Sequence, residues 1–116
     1  MRLLYTTFLL AGLVSGCHRQ NGTILGKVPQ GEIKTILAVR AGDTPRLVSL
    51  SGVIVEKCPT AGCWLRLKDN TGIIKVDTKA AGFVVVNVPL DTRITVMGNV
   101  ITEGDEVVVA ATGLRY

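Results

Sequence analysis

Cys58 and Cys63 stand on either side of Pro59-Thr60-Ala61-Gly62, and the chain's one tryptophan, Trp64, follows directly. A hairpin loop this short sets its flanking residues opposite each other, with their Cβ atoms close to disulfide range. Three chemistries compete for such a pair. As a disulfide it clamps the loop, the state expected in an oxidising compartment. As reduced thiols it offers two soft ligands to a metal such as copper(I), with Met97 as a third. As free thiols it is open to redox exchange. A structural zinc site needs four ligands, which two cysteines without a neighbouring His do not supply. A thioredoxin-like pair would have two intervening residues and lie near a βαβ pattern, and neither condition is met.

The second candidate is the face that follows the pair. Residues 63–68 alternate, with Cys63, Leu65 and Leu67 on one side and Trp64, Arg66 and Lys68 on the other; Lys75 falls on the return strand. An aromatic among cations is how small barrels hold single-stranded nucleic acid, by stacking and backbone neutralisation. Aromatics are only 4% of this chain, however, so the pattern is thin for that ligand. Outside the cytoplasm the same face suits an anionic glycan, a lipid head group or an acidic partner protein. In the plainer alternative, Trp64 packs beneath an apolar stripe of Ile33, Ile36 and Leu37, and Arg66 and Lys68 are solvated. Asp69, Asp77 and Asp91 form no recognisable acid–base pair, and solvated turns or strand ends explain them. No Ser with a usable base and no phosphate-cradling Gly loop occurs. The sequence therefore reads as a non-enzymatic binding module that needs no cofactor, the alternative being a copper-binding or thiol-redox protein built on Cys58 and Cys63.

The N-terminus reads as an address. Arg2 precedes an uncharged apolar run over residues 3–14. That run is too short to cross a hydrocarbon core of about 30 Å, which takes about 20 residues. A small-residue cleavage pattern follows, as in an export signal. That pattern, Leu13-Val14-Ser15-Gly16-Cys17, resembles the lipobox of bacterial lipoproteins. The resemblance implies a diacylglyceryl thioether on Cys17, loss of the preceding residues and acylation of the new N-terminus. More than one acyl chain gives stable anchoring. The expected organisation is a lipoprotein signal peptide over 1–16, a lipidated tether over 17–28 and one folded domain over 29–116. The expected location is the bacterial cell membrane or outer membrane, with the domain outside the cytoplasm. Cleavage removes Arg2 from a formal charge of +4, leaving a balance too mild to indicate nucleic acid. The remaining chain, about 100 residues, buries somewhat over 60% of its unfolded surface, enough for one modest core.

A single small β-domain must then position the pair and the face. Residues 30–39 carry Ile33, Ile36 and Leu37 at helical spacing and predict a short helix. After Pro45 the period shifts to two. Strands are predicted over 47–57, with a bulge or bend at Gly52, then over 63–68, 73–78, 93–101 and 106–114. Residues 78–82 suit a single helical turn and 83–90 an irregular segment. Five strands in this order, the first long and the insert after the third, predict an all-β, OB-fold-like Greek-key barrel with a short N-terminal helix. An open sandwich or an SH3-like barrel is the other arrangement. Closure would remove the exposed strand edges.

From about Glu32 onward the chain resembles a group of small exported bacterial OB-fold proteins of uncharacterised function. The marker is Gly-x-Val, a few residues, then Cys-x-x-x-Gly-Cys-Trp-[Leu/Met]-x-Leu-x-Asp. Here the first part reads Gly52-Val53-Ile54, with Ile in the place of Val, and the second runs from Cys58 through Gly62, Cys63, Trp64, Leu65 and Leu67 to Asp69. The resemblance implies the barrel and carries no settled activity.

Overall fold

The computed structural model describes residues 22–116. The expected signal peptide, Cys17 and the first residues of the expected tether lie outside the described residues. The described chain forms β1 (Ile24–Gly26), α1 (Ile36–Ala41), β2 (Leu47–Lys57), β3 (Trp64–Asp69), β4 (Gly72–Asp77), β5 (Arg93–Glu103) and β6 (Glu106–Arg115).

Alternation decides the strands. In β3, Leu65 and Leu67 are buried while Trp64 and Arg66 are half-buried and Lys68 is exposed. In β5, Ile94 and Val96 point inward and their neighbours outward. The strands close on themselves. β2 pairs with β3, β3 with β4, β4 with β6 in parallel, β6 with β5, and β5 with β2 again. This is the predicted five-stranded, OB-fold-like Greek-key barrel. Its core holds Leu50, Ile54, Leu65, Leu67, Ile74, Val76, Ile94, Val96 and Leu114.

β2 serves two neighbours, pairing with β5 over residues 47–53 and with β3 from Val53 onward. Gly52 stands at this hand-over, where an added Cβ would run into the backbone carbonyl of Lys68. The glycine is therefore required by close backbone approach. The register irregularity expected there falls between Ile54 and Glu56 instead.

Three expectations need correction. The helix starts later than predicted and turns a different face inward. Ile36 and Val39 are buried, whereas Ile33 is 49% and Leu37 60% exposed. The cause is capping: the amides of Ile36, Leu37 and Ala38 meet Asp69 Oδ2 at 2.9 Å, Thr71 Oγ1 at 3.0 Å and Thr35 Oγ1 at 3.1 Å. Those acceptors fix the first turn, and Gly42 ends the helix in a left-handed conformation. The expected tether also runs too far. Ile24–Gly26 pairs with β6 as an added strand, so the folded part begins before residue 29. Finally, residues 78–82 form turns in place of a helical turn, and the irregular insert that follows drives Val85 and Val88 into the core.

Candidate functional site

The loop between β2 and β3 carries Cys58 and Cys63 at one end of the barrel. Both cysteines are free and half-buried, with their sulfurs 3.8 Å apart. Backbone pairing sets that proximity. The Cys58 amide donates to the Trp64 carbonyl at 3.0 Å, and the Thr78 amide to the Cys63 carbonyl at 2.9 Å. Gly62 closes the loop with φ +62°, and an added Cβ would lie 2.6 Å from the Val86 amide nitrogen. The Val85 amide donates to the Gly62 carbonyl at 2.8 Å. The insert thus backs the loop, and the Lys57 ammonium staples the insert by donating to the carbonyls of Val86 at 3.2 Å and Val88 at 2.5 Å.

The two sulfurs differ electrostatically. The Ala61 amide is the main donor to Cys58; the Thr60 hydroxyl and the Thr60 and Cys63 amides add to it and draw the Cys58 thiol down to about 6. Cys63 is pushed up, first by its hydrogen bond to Cys58, then by desolvation and by the neighbouring negative sulfur. Charge at the loop collects on Cys58.

Met97 does not join the pair. It lies opposite Ser49 on β5, near the far end of β2 from Cys58, and lines a groove with Val28, Gln30 and Leu47. That removes the third ligand expected for copper. Among the described residues, no three His, Cys, Asp or Glu side chains come together.

The outer face of β3 and β4 gathers three of the four residues predicted for it. Trp64 is half-buried and absent from the core cluster, so the packing beneath Ile33, Ile36 and Leu37 does not occur. The Arg66 guanidinium carbon lies 5.7 Å and the Lys75 ammonium 5.8 Å from the Trp64 ring centroid, within cation–π range. Lys68 stands apart in a hollow with Ser51, Asn70 and Arg93. The face is also less cationic than the sequence implies. Arg66 pairs with Glu56 at 3.4 Å and Glu106 at 3.1 Å, and Lys75 with Glu103 at 3.2 Å. Glu56 faces Arg66 across the β2–β3 pairing, whereas Glu103 and Glu106 escaped sequence reasoning because the β5–β6 hairpin reaches β4 only through the parallel β4–β6 pairing. No local pattern announces that contact.

Asp69, at the other end of β3, is also more than a solvated turn residue. Its Oδ1 accepts from the Thr71 amide and hydroxyl, both at 2.7 Å, and from the Gly72 amide at 3.1 Å; Oδ2 accepts from the Ile36 amide. Burial pulls this carboxyl upward, but those donors outweigh it and hold it below the usual carboxylate range.

No protein-family model and no curated protein matches the chain. Among solved structures, it is similar to the hypothetical protein ygiW from E. coli. The TM-score is 0.56 at 22% identity, covering 75% of this chain and 91% of that one. This likeness supports the barrel. Among the described residues, no helix is long and apolar enough to cross a membrane.

Proposed function

We propose that this chain is a membrane-anchored lipoprotein of the exported OB-fold group that it resembles, and that its barrel binds a partner protein or an envelope polymer outside the cytoplasm. The observation that carries the binding reading is Trp64. Trp64 stands half-buried on the outer face of β3, flanked by Arg66 and Lys75, which are themselves paired with Glu56, Glu106 and Glu103. Strands in these positions form the ligand face of many OB-folds. A large, rigid ring with donors and acceptors beside it is the composition of a contact hot spot. Because the cations already have carboxylate partners, a ligand of mixed polarity suits the face better than a polyanion, and this favours a protein surface over nucleic acid. The anchor reading rests on Leu13-Val14-Ser15-Gly16-Cys17.

A photoreactive residue in place of Ile73, exposed on β4 two positions from Lys75, reports on this face in living cells. A discrete crosslinked adduct is expected, and Trp64→Ala should abolish it. No adduct, or one indifferent to Trp64→Ala, overturns the binding reading. For the anchor, Cys17→Ser should release the protein from the membrane fraction or leave an uncleaved precursor. Normal cleavage with unchanged membrane partition overturns it.

A further inference from the structure

The β2–β3 loop holds features that the binding face does not use. Two free sulfurs sit 3.8 Å apart, both open to solvent in part. Closure to a disulfide of about 2.05 Å asks for a shift of less than about 2 Å, within reach of small side-chain rotations. The backbone around the pair is already fixed. The Gly62 carbonyl accepts from the Val85 amide and from the hydroxyl of Thr78, which is fully buried, at 3.4 Å. The Cys58 amide is paired with Trp64 and the Cys63 carbonyl with Thr78. The sulfurs can therefore approach and separate without unfolding a strand.

The environment is also asymmetric. Cys58 Sγ lies 3.6 Å from the Thr60 hydroxyl and is served by the Ala61 amide, whereas Cys63 Sγ points its own hydrogen at Cys58. A negative sulfur is thus stabilised at one position and disfavoured at the other, the arrangement that separates an attacking thiol from a resolving one.

We propose that this loop is a thiol–disulfide exchange site, with Cys58 as the attacking and Cys63 as the resolving thiol, acting on a disulfide in a partner molecule. The Cys58 thiolate attacks one sulfur of the partner disulfide. A mixed disulfide forms at Cys58, and the partner's other sulfur leaves as a thiolate that takes a proton from solvent. Cys63 then gives its proton to solvent and attacks Cys58 Sγ. The Cys58–Cys63 disulfide forms, and the partner's first sulfur leaves as a thiolate and is protonated in turn. Two electrons pass from the loop to the partner: the loop is oxidised and the partner is reduced to a dithiol. Run backwards, the same steps deliver a disulfide. The chemistry is independent of what the Trp64 face binds.

The test uses the full chain extracted from membranes, with alkylation mapped to each cysteine by peptide mass so that Cys17 is read separately. With no substitution at all, the alkylation rate of Cys58 should rise through a midpoint near pH 6, and that of Cys63 well above it. Mixed-disulfide formation is then followed with glutathione disulfide and, in a second arm, with insulin, so that a small-molecule source and a polypeptide source are told apart. At pH 6, Cys63→Ser should trap either disulfide at position 58 about tenfold faster than Cys58→Ser traps it at position 63. The larger thiolate fraction outweighs the lower intrinsic nucleophilicity of a more acidic thiol there. Trapping of insulin alone assigns a polypeptide substrate, and trapping of both assigns a general one. If neither disulfide is trapped, or Cys58 titrates as an ordinary thiol, the proposal fails. It also fails if the wild-type pair is a disulfide that glutathione buffers do not reduce.

Discussion

At its two ends β3 meets acidic groups held by backbone N–H groups: Cys58 and Cys63 beside Trp64, and Asp69 at the opposite end. The local device is the same. A short turn aims amides at one atom, and the negative form of that atom is favoured. The surroundings differ. Asp69 spends both oxygens on its own chain, joining the turn before β4 to the first amide of α1. Its acceptors are consumed, so its charge contributes to stability. Cys58 receives its loop amides at an open rim, and a second sulfur is its neighbour rather than a helix. Its charge remains available to an incoming molecule. Whether a stabilised anion is structural or reactive depends here on what else can reach it.

The contrast can be broken from either side. Gly52→Val tests the Asp69 end most severely, because the new side chain meets the Lys68 carbonyl in a packed barrel. A loss of about 3 kcal/mol is expected in denaturant unfolding, and an unchanged midpoint would contradict the close approach.

Asp69→Ala strands the amides of Ile36, Thr71 and Gly72. Water can reach part of this site, so the expected loss is about 1.5 kcal/mol, at the low end for hydrogen bonds to a charged group. The folded state holds this carboxyl below its ordinary value of 3.8. Its contribution is therefore fully present above that pH and fades as acid protonates it. Thermal melts of the wild type should fall through that window more steeply than those of Asp69→Ala; parallel curves would remove Asp69 from the account.

Gly62→Ala forces a side chain into a left-handed conformation against Val86. A smaller loss is expected, about 1 kcal/mol, together with an upward shift of the Cys58 alkylation midpoint as the loop amides lose their aim. If the midpoint holds, the loop backbone is not what makes this thiol acidic.

Cys58→Ser should leave the melting temperature nearly unchanged while forming the mixed disulfide, now only at Cys63, about tenfold more slowly at pH 6 than Cys63→Ser does. A melting loss as large as that of Asp69→Ala would make the two ends alike and the cysteine structural.

The elements were legible in the sequence because period-two alternation depends only on which side chains must leave water. The period gives residues 47–57 the bounds of β2, and the inward positions of β3 and β5 follow from Leu65, Leu67, Ile94 and Val96. The cysteine pair was visible too, since a four-residue hairpin loop brings its flanks together whatever surrounds it.

Contacts between distant segments were hidden. The start of α1 depends on Asp69 and Thr71, more than thirty residues away, so helical spacing placed it too early and on the wrong stripe. Glu106 beside Arg66 and Glu103 beside Lys75 arrive through the β4–β6 pairing. The strand Ile24–Gly26 exists because β6 offers it a free ladder, and Met97 left the cysteines because β5 runs antiparallel to β2. Composition and period, acting over a few residues, determined that this chain is a small β-barrel with a cysteine pair at one loop. The folded conformation of the β2–β3 loop decided which sulfur is the acidic one. Barrel closure decided which distant charges meet and which anion stays open to solvent, because hydrogen bonds and Coulomb forces act over ångströms of space irrespective of distance along the chain.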